Sequence, residues 1–480
     1  MENVSSLAAS PIGVDYQLPQ FVSEGHCTGY YITITIFLIA IWFFLPKKQT
    51  SHLEIPFYKA SKTKWIFDAE TLIKDSYTKF RDRVYQIKAT EGVQVIVPAR
   101  LVGELKGLPE DILSATEAVS DALQSKYTKF SPGHNGELLA LLVRTKLTQN
   151  LTRVVPLLKK ELEHLLATEF HLRAVARLSG RAFVGPSINR DEKWMDTSIN
   201  FAVHVFTACV KLQFIPEWAR PVGQHLVSEL RQIRKDIKIA KEMLKPILEE
   251  RLRDMEFSNG GNAPDDMIQW LIEALPEEEK ADLTTQAELQ LIIAAASIHT
   301  TNNLLCECLC DLAAYPEVQE ELREEAYRVL EVDNGWENKE SMAKLKKLDS
   351  FMREVQRLSG NITSFIRKLA SLSTSAISPT PERFDAFRFY KLRQESAEAS
   401  NRWQFTSLND TYINFGAGKH ACPGRFFASN EIKLVLAHLL INYDIRLKAG
   451  EDRPKAMSVV MAKAPSPDTE LEFRRRSWAA

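Results

Sequence analysis

Residues 414–428 read NFGAGKHACPGRFFA, and this run decides how the rest of the chain is read. A lone cysteine, Cys422, stands among Gly416, Gly418 and Gly424, directly ahead of PGRFFASNEIKLVLAHLL. Proline is favoured in a helix's first turn, and the apolar spacing from Ala428 to Leu440 is that of an amphipathic helix. The sulfur is therefore expected at a helix N-terminus, where the dipole and unpaired N–H groups favour an anion. That setting lowers a thiol pKa and favours thiolate, the form that ligates a metal. The glycines allow close backbone approach and leave room for something flat and large. Phe415 offers an aromatic wall, and His420 a cationic or hydrogen-bonding group. The competing reading is a phosphate loop. It needs Gly-Lys-Ser/Thr or a strand–turn–helix dinucleotide pattern, and neither is formed.

Upstream, most of the chain reads as helix. MDTSINFAVHVF and LVSELRQIRKDIKIAKEMLKPILEERLRDM both repeat apolar residues at three and four. Strand signals are few, with candidates at VQVIVPA near residue 95 and YDIRLKAG near residue 445. The expectation is a single, mainly α catalytic domain with a small strand component. Its central helix enters at a capping box, Thr285-x-x-Glu288, and leaves at Tyr315-Pro316. The first half is apolar on every face and should be buried all round. Within it lie Ser297, His299, Thr300, Thr301, Asn302 and Asn303. Such groups need partners, at a cost of about 1–3 kcal/mol each without them. Either they bond back to the preceding turn, or they mark a kink, bound water or a site. Cys306, Cys308 and Cys310 alternate on this helix, so they suit small buried hydrophobes better than a metal.

The next helix carries Leu345, Leu348, Met352, Val355 and Leu358 on one face, and Glu354 and Arg357 three apart on one side. Glu-x-x-Arg alone is a weak signal, and a solvated surface pair would look the same. Arg388, framed by Phe387 and Phe389 in PERFDAFRF, offers a second guanidinium for a buried Arg–Glu–Arg network.

Composition excludes some alternatives. The chain has 480 residues, a net charge of −1 and 45% hydrophobic residues, so it lacks the basic excess of a nucleic-acid binder. Six irregularly placed cysteines fit a reducing compartment better than a disulfide framework. From Gly25 to Pro46 there is no Asp, Glu, Lys or Arg. That run meets the roughly 20 residues needed to span a bilayer. Tyr30, Tyr31 and Trp42 lie toward its ends, and Lys47 and Lys48 follow at once. It lacks the basic start and small-residue cleavage site of a signal peptide. The positive-inside rule then expects a lumenal tail over 1–27, an anchor over 28–45 and a cytosolic domain over 46–480. Asn3, in the sequon NVS, would face the lumen.

FGAGKHACPGRFFA resembles the haem-binding loop of the cytochrome P-450 family, FxxGxxxCxGxxxA, throughout. Glu354-x-x-Arg357, PERFDAFRF and the cysteine loop occur in that family's order, and the central helix is similar to its distal helix. RAVARLSGRAFVGPSINRDEKW and NEIKLVLAHLLINYDIRL resemble fungal members acting in terpenoid and other natural-product pathways, such as ent-kaurene oxidases. The resemblance implies a helical haem domain with small sheets, behind a microsomal, endoplasmic-reticulum anchor. It implies haem b, with Cys422 as the thiolate ligand of iron, Phe415, Gly416, Gly418 and Gly424 around it, and His420 near a propionate. Arg144 or Lys146 would reach a propionate, although the family's Trp-x-x-x-Arg is missing. Thr300 would be the distal alcohol, with His299 where the family usually has a carboxylate and Ser297 where glycine is common. Glu354, Arg357 and Arg388 would support the loop. Electrons would come from NADPH through a separate cytochrome P-450 reductase, and an apolar small molecule would be hydroxylated with O₂. A haem-thiolate isomerase or dehydratase, and a non-catalytic membrane-anchored homologue, are the alternatives. The last is suggested by SFIRKLASLSTSAISPTPERF, where the family's strand pair and its Pro-x-Gly turn are expected to be missing, between 358 and 380.

Overall fold

The computed structural model describes residues 55–477 apart from short breaks, the longest being 169–172, 258–262, 360–364 and 378–382. The expected lumenal tail and membrane anchor, 1–27 and 28–45, lie outside the described residues. Among the described residues no single helix is long and apolar enough to cross a membrane.

Helices dominate. In chain order those that matter here are α1 (Gly136–Leu142), α2 (Leu151–Thr168), α3 (Ala174–Phe183), α4 (Glu192–Phe214), α5 (Ser228–Phe257), α6 (Met267–Ala274), α7 (Leu283–Ala314), α8 (Pro316–Tyr327), α9 (Lys346–Ser359), α10 (Arg388–Arg393) and α11 (Arg425–Asn442). Helix α7 is the axis of the core. It packs against α3, α4, α5, α9 and α11, and Leu289, Leu291, Ile292, Ile293, Ala294 and Ala295 are all buried, as all-round apolarity requires. Its start differs from the expected capping box. Asp282 is the cap, accepting from the N–H groups of Thr284 and Thr285, while the Thr285 hydroxyl donates to the same carboxylate at 2.7 Å. An aspartate reaches the first free N–H groups directly, so Glu288 has no part in it. The helix ends at Tyr315, ahead of Pro316, as expected.

The strands are β1 (Phe57–Tyr58), β2 (Tyr85–Ala89), β3 (Gly92–Pro98), β4 (Leu113–Ser114), β5 (Phe365–Leu369), β6 (Leu372–Ile377), β7 (Tyr443–Leu447), β8 (Met457–Val459), β9 (Ala462–Ala464) and β10 (Leu471–Arg475). The first six form one sheet in the order β1-β2-β3-β6-β5-β4. β7 pairs with β10 and β8 with β9, each antiparallel. Strands β5 and β6 correct the reading that a strand pair is missing between 358 and 380. They are antiparallel, with Phe365 opposite Ala376 and Leu369 opposite Leu372. β6 runs parallel to β3 and β5 antiparallel to β4. Strand preference depends on what a segment pairs with. The small polar run of β6 reads as loop in isolation and becomes strand beside the ladder that β3 offers. The sequence from Phe365 to Ile377 holds no Pro-x-Gly.

Candidate functional site

The cysteine run folds as two tight turns leading into α11. Gly416 and Gly418 both have left-handed φ values, +74° and +64°. At Gly418 a Cβ would also stand 2.8 Å from the Lys106 carbonyl oxygen, so no side chain fits. The Cys422 N–H donates to the Phe415 carbonyl at 2.7 Å, closing the loop on itself. Phe415 packs edge-on against Phe405, ring centres 5.1 Å apart. Helix α11 begins at Arg425 with Gly424 as its cap, so Pro423 precedes the helix rather than opening it.

The sulfur's electrostatics differ from the sequence expectation. Burial pushes the Cys422 thiol up. The N–H groups of Gly424 and Arg425 and the Arg425 charge pull the other way, as the helix-start argument requires, but burial outweighs them. A metal ion at the sulfur would add a positive charge that favours thiolate. Burial also lowers the Arg425 pKa; Cys422 raises it, and the nearby Arg144 lowers it further. The Arg425 guanidinium is held by the Thr406 and Cys422 carbonyls at 3.1 and 2.9 Å. Arg425 beside the thiol and Arg144 near Arg425 would suit the carboxylates of an iron porphyrin whose metal the sulfur would hold. Arg144, on the π-helical segment Val143–Leu147 after α1, bonds its own chain at Ala140 with 3.3 Å. Lys146 is committed elsewhere, 3.2 Å from Glu273 on α6, which leaves Arg144 of the two cations considered. His420, expected near a propionate, forms a close ion pair with Glu110. Burial raises the Glu110 pKa, yet Ser114, the Ala115 N–H and His420 together hold it below the usual range.

On α7, Ala296 and Thr300 are exposed although the helix is otherwise buried by its neighbours, so one face one turn long is open. The Thr300 hydroxyl donates to the Ala296 carbonyl at 2.8 Å, the back-bonding expected of threonine in a helix. His299 Nε2 lies 2.9 Å from the Ile199 carbonyl on α4. A carbonyl can only accept, so that nitrogen carries the proton and Nδ1 is left for any other role. The three cysteines are not bridged, and burial pushes Cys306 up to about 11 and Cys310 up to about 12. Among the described residues no cluster of His, Cys, Asp or Glu could hold a metal ion by itself.

Behind the loop, Glu354 has no solvent exposure. Arg357 grips it with two bonds, 2.8 and 2.7 Å, and Arg388 adds contacts at 3.2 and 3.3 Å. The Asp385 N–H donates at 2.9 Å, and both arginines also bond the Arg383 carbonyl. Sequence reasoning missed two further sets on the same helix. Asp349 takes Arg393 at 2.9 Å, Lys433 at 2.6 Å and the Phe405 N–H at 2.8 Å. Arg353, fully buried, stacks on Tyr412 and Phe389 at 4.1 and 4.8 Å. A lysine in the middle of EIKLVLAHLL was the available signal for the first set.

The family model for cytochrome P-450 matches residues 167–375 and 372–472. The cytochrome P-450 monooxygenase AN1598 of Emericella nidulans is 32% identical over 444 residues, 84% of this chain and 83% of that protein. The monooxygenase olcJ of Penicillium canescens is 33% identical over 440 residues, covering 84% and 83%. An ent-kaurene oxidase of Fusarium fujikuroi is 28% identical over 459 residues, covering 87% and 85%. The retinoic acid-bound cyanobacterial CYP120A1 shares the fold, with a TM-score of 0.65 at 16% identity, over 88% of this chain and 99% of that one. The fold and the cysteine loop are those of a haem-thiolate oxidoreductase. The chain belongs to the cytochrome P-450 family and is a monooxygenase.

Glu354→Gln would leave two partly buried guanidiniums facing a neutral, buried amide. It is expected to cost about 3–5 kcal/mol, the scale for breaking a buried pair, seen as a lower midpoint of thermal unfolding. A loss below about 1 kcal/mol, that of a surface pair, would remove the network from this role.

Proposed function

We propose that this chain hydroxylates an apolar small molecule of terpenoid type, using haem b and electrons passed from NADPH by a separate reductase. The carrying observation is the Cys422 sulfur, buried at the mouth of α11 with the N–H groups of Gly424 and Arg425 turned toward it. Similarity to an ent-kaurene oxidase supports the terpenoid class. Oxygen activation is favoured over an isomerase or dehydratase because Thr300 presents a hydroxyl on the open face of α7.

The residue roles follow from position. Bound haem supplies O₂ activation, in which one oxygen atom goes to the substrate and the other leaves as water. Cys422 ligates the iron. Its sulfur receives hydrogen bonds that temper its charge, and Phe415 shields it. Arg144 takes a propionate. Gly416 and Gly418 give the loop its left-handed turns, and Gly424 caps the helix behind the sulfur. Thr300 would turn its hydroxyl from the Ala296 carbonyl to hold a water and a proton beside the haem site. His299, fixed on α4 through Nε2, orients this turn of α7 and offers Nδ1 to a water. Glu354, Arg357 and Arg388 keep the loop in register. The segment 28–45 anchors the chain in the endoplasmic reticulum, with the catalytic domain of 46–480 on the cytosolic side and 1–27 in the lumen.

Cys422→Ser is expected to abolish the reduced carbon monoxide spectrum of a thiolate centre, and an unchanged spectrum would remove Cys422 from iron. Thr300→Ala is expected to lower product per NADPH and raise peroxide, while haem content stays constant; intact coupling would count against the proton role. In microsomes, endoglycosidase should shift the wild-type band and leave Asn3→Gln unmoved. A wild-type band that never shifts, despite a working glycosylation control, would argue against a lumenal tail.

A further inference from the structure

Helix α5 and the first turn of α7 border a cavity of about 470 Å³. Thr284, on its wall, precedes Thr300 by sixteen residues, about 24 Å of helix. The cavity is therefore separate from the space at the open face of α7. Ile237 of α5 and Leu283 of α7 give it an apolar lining. Arg234, Lys238, Lys241 and Lys245 supply most of the rest, spaced four, three and four apart. That spacing puts all four on one stripe of α5, about 16 Å long. Among the described residues, Glu242 is the one carboxylate in the wall.

A solvated basic face is the plainer explanation, but these charges are poorly answered. Cations three and four apart on a helix repel. Glu242 stands 4.0 Å from Lys238 and is shared with Lys193 of α4 at 3.8 Å, and Glu249 stands 3.8 Å from Lys245. These pairs are exposed and long, and in both helical pairs lysine precedes glutamate, the weaker order. Lys241, half-buried, gives its ammonium to a neutral partner, the Thr284 hydroxyl at 2.8 Å. Arg234 has no hydrogen bond or ion pair among the described residues. Two acids of the α7 start act on Lys241 without lining the cavity. Asp282 is engaged with the N–H groups it caps, and Glu288 is shared with Lys129. Since Asp282 already takes those N–H groups, an anion in the cavity is met by side chains.

We propose that this cavity binds a small amphiphilic anion, an apolar chain headed by a phosphate. Arg234, Lys238, Lys241 and Lys245 meet the head, and Ile237 and Leu283 meet the chain. Long lysine and arginine stems let charges spread along the stripe converge on one group, while their methylenes extend the apolar lining. A phosphate monoester carries about two negative charges near neutral pH and three acceptor oxygens, so it answers several cations at once. The volume is that of a small-molecule site. A flat anionic membrane is a poorer partner. Glu277 and Glu278 stand exposed just ahead of α7, and a broad negative surface that reached the lysines would meet them too.

The test uses the full-length holoenzyme in uncharged phosphatidylcholine nanodiscs, with the haem site filled by a bulky azole. Octyl phosphate is titrated by calorimetry, with empty discs as the blank. It is expected to saturate at one per chain and to bind roughly tenfold or more tighter than inorganic phosphate or octanol. K238Q/K245Q should weaken it roughly tenfold, the scale of one charged bond lost, while Glu242→Gln should tighten it. All three positions are exposed, so the carbon monoxide spectrum should not move. Bound octyl phosphate should slow hydrogen exchange across residues 228–245 and 283–286. Equal binding by wild type and K238Q/K245Q would overturn the proposal, as would binding that the azole displaces. So would octanol binding as tightly as octyl phosphate, since the cations would then read nothing. Association with phosphatidylserine discs but no binding of octyl phosphate would give the stripe to an anionic bilayer and overturn the small-molecule site.

Discussion

The site depends on a carboxylate that water never reaches. Glu354 is completely buried, and it is tolerable there because Arg357 and Arg388 surround it and the Asp385 N–H completes its bonding. A buried pair of this kind is poor evidence for stability, since its desolvation offsets much of the attraction. Its value lies in direction. The chain between Arg383 and Cys422 holds only short helices, and a segment so poor in regular structure must borrow its shape. Helix α9 lends it, turn by turn. Ser350 bonds the Ala386 carbonyl and receives the Tyr390 N–H, each at 2.9 Å. Asp349 holds Phe405, Arg353 carries the Tyr412 and Phe389 rings, and Gln356 receives the Tyr412 hydroxyl. Phe405 then braces Phe415, and Phe415 closes the loop at Cys422.

That relay explains why the sulfur can be both buried and usable. Burial raises the thiol's pKa, against the pull of two backbone N–H groups and one guanidinium. Burial disfavours the anion, and a cation at the sulfur would favour it. The chain itself contributes geometry and partial positive charge around the sulfur.

How much of this was legible in the sequence depends on distance along the chain. The cysteine loop, the burial of α7 and the Glu354–Arg357 pair lie in short windows, where spacing and residue type carry the information. Arg388, thirty-odd residues from its partner, was legible only because two phenylalanines flank it. Asp349 with Lys433 joins helices 84 residues apart, and no local pattern announces it. β6 illustrates the same limit, because its partner β3 lies far upstream and supplies the ladder that its own composition does not demand. The cap of α7 failed for a different reason. Asp282, three residues ahead of Thr285, takes the helix start because its carboxylate collects two N–H groups and a hydroxyl.

Helix α7 shows how one element serves packing and chemistry together. Along this largely buried helix, Ala296 and Thr300 are the exposed residues. The polar side chains on either side are spoken for. His299 is spent on α4, and Ser297 on α3. These contacts fix the rotation of α7 about its own axis, because each joins a side chain to a different neighbouring helix. A rotation of one residue, about 100°, would carry Thr300 into the packed core and break both. The groups that look like polar intrusions into an apolar helix keep Thr300 on its exposed turn.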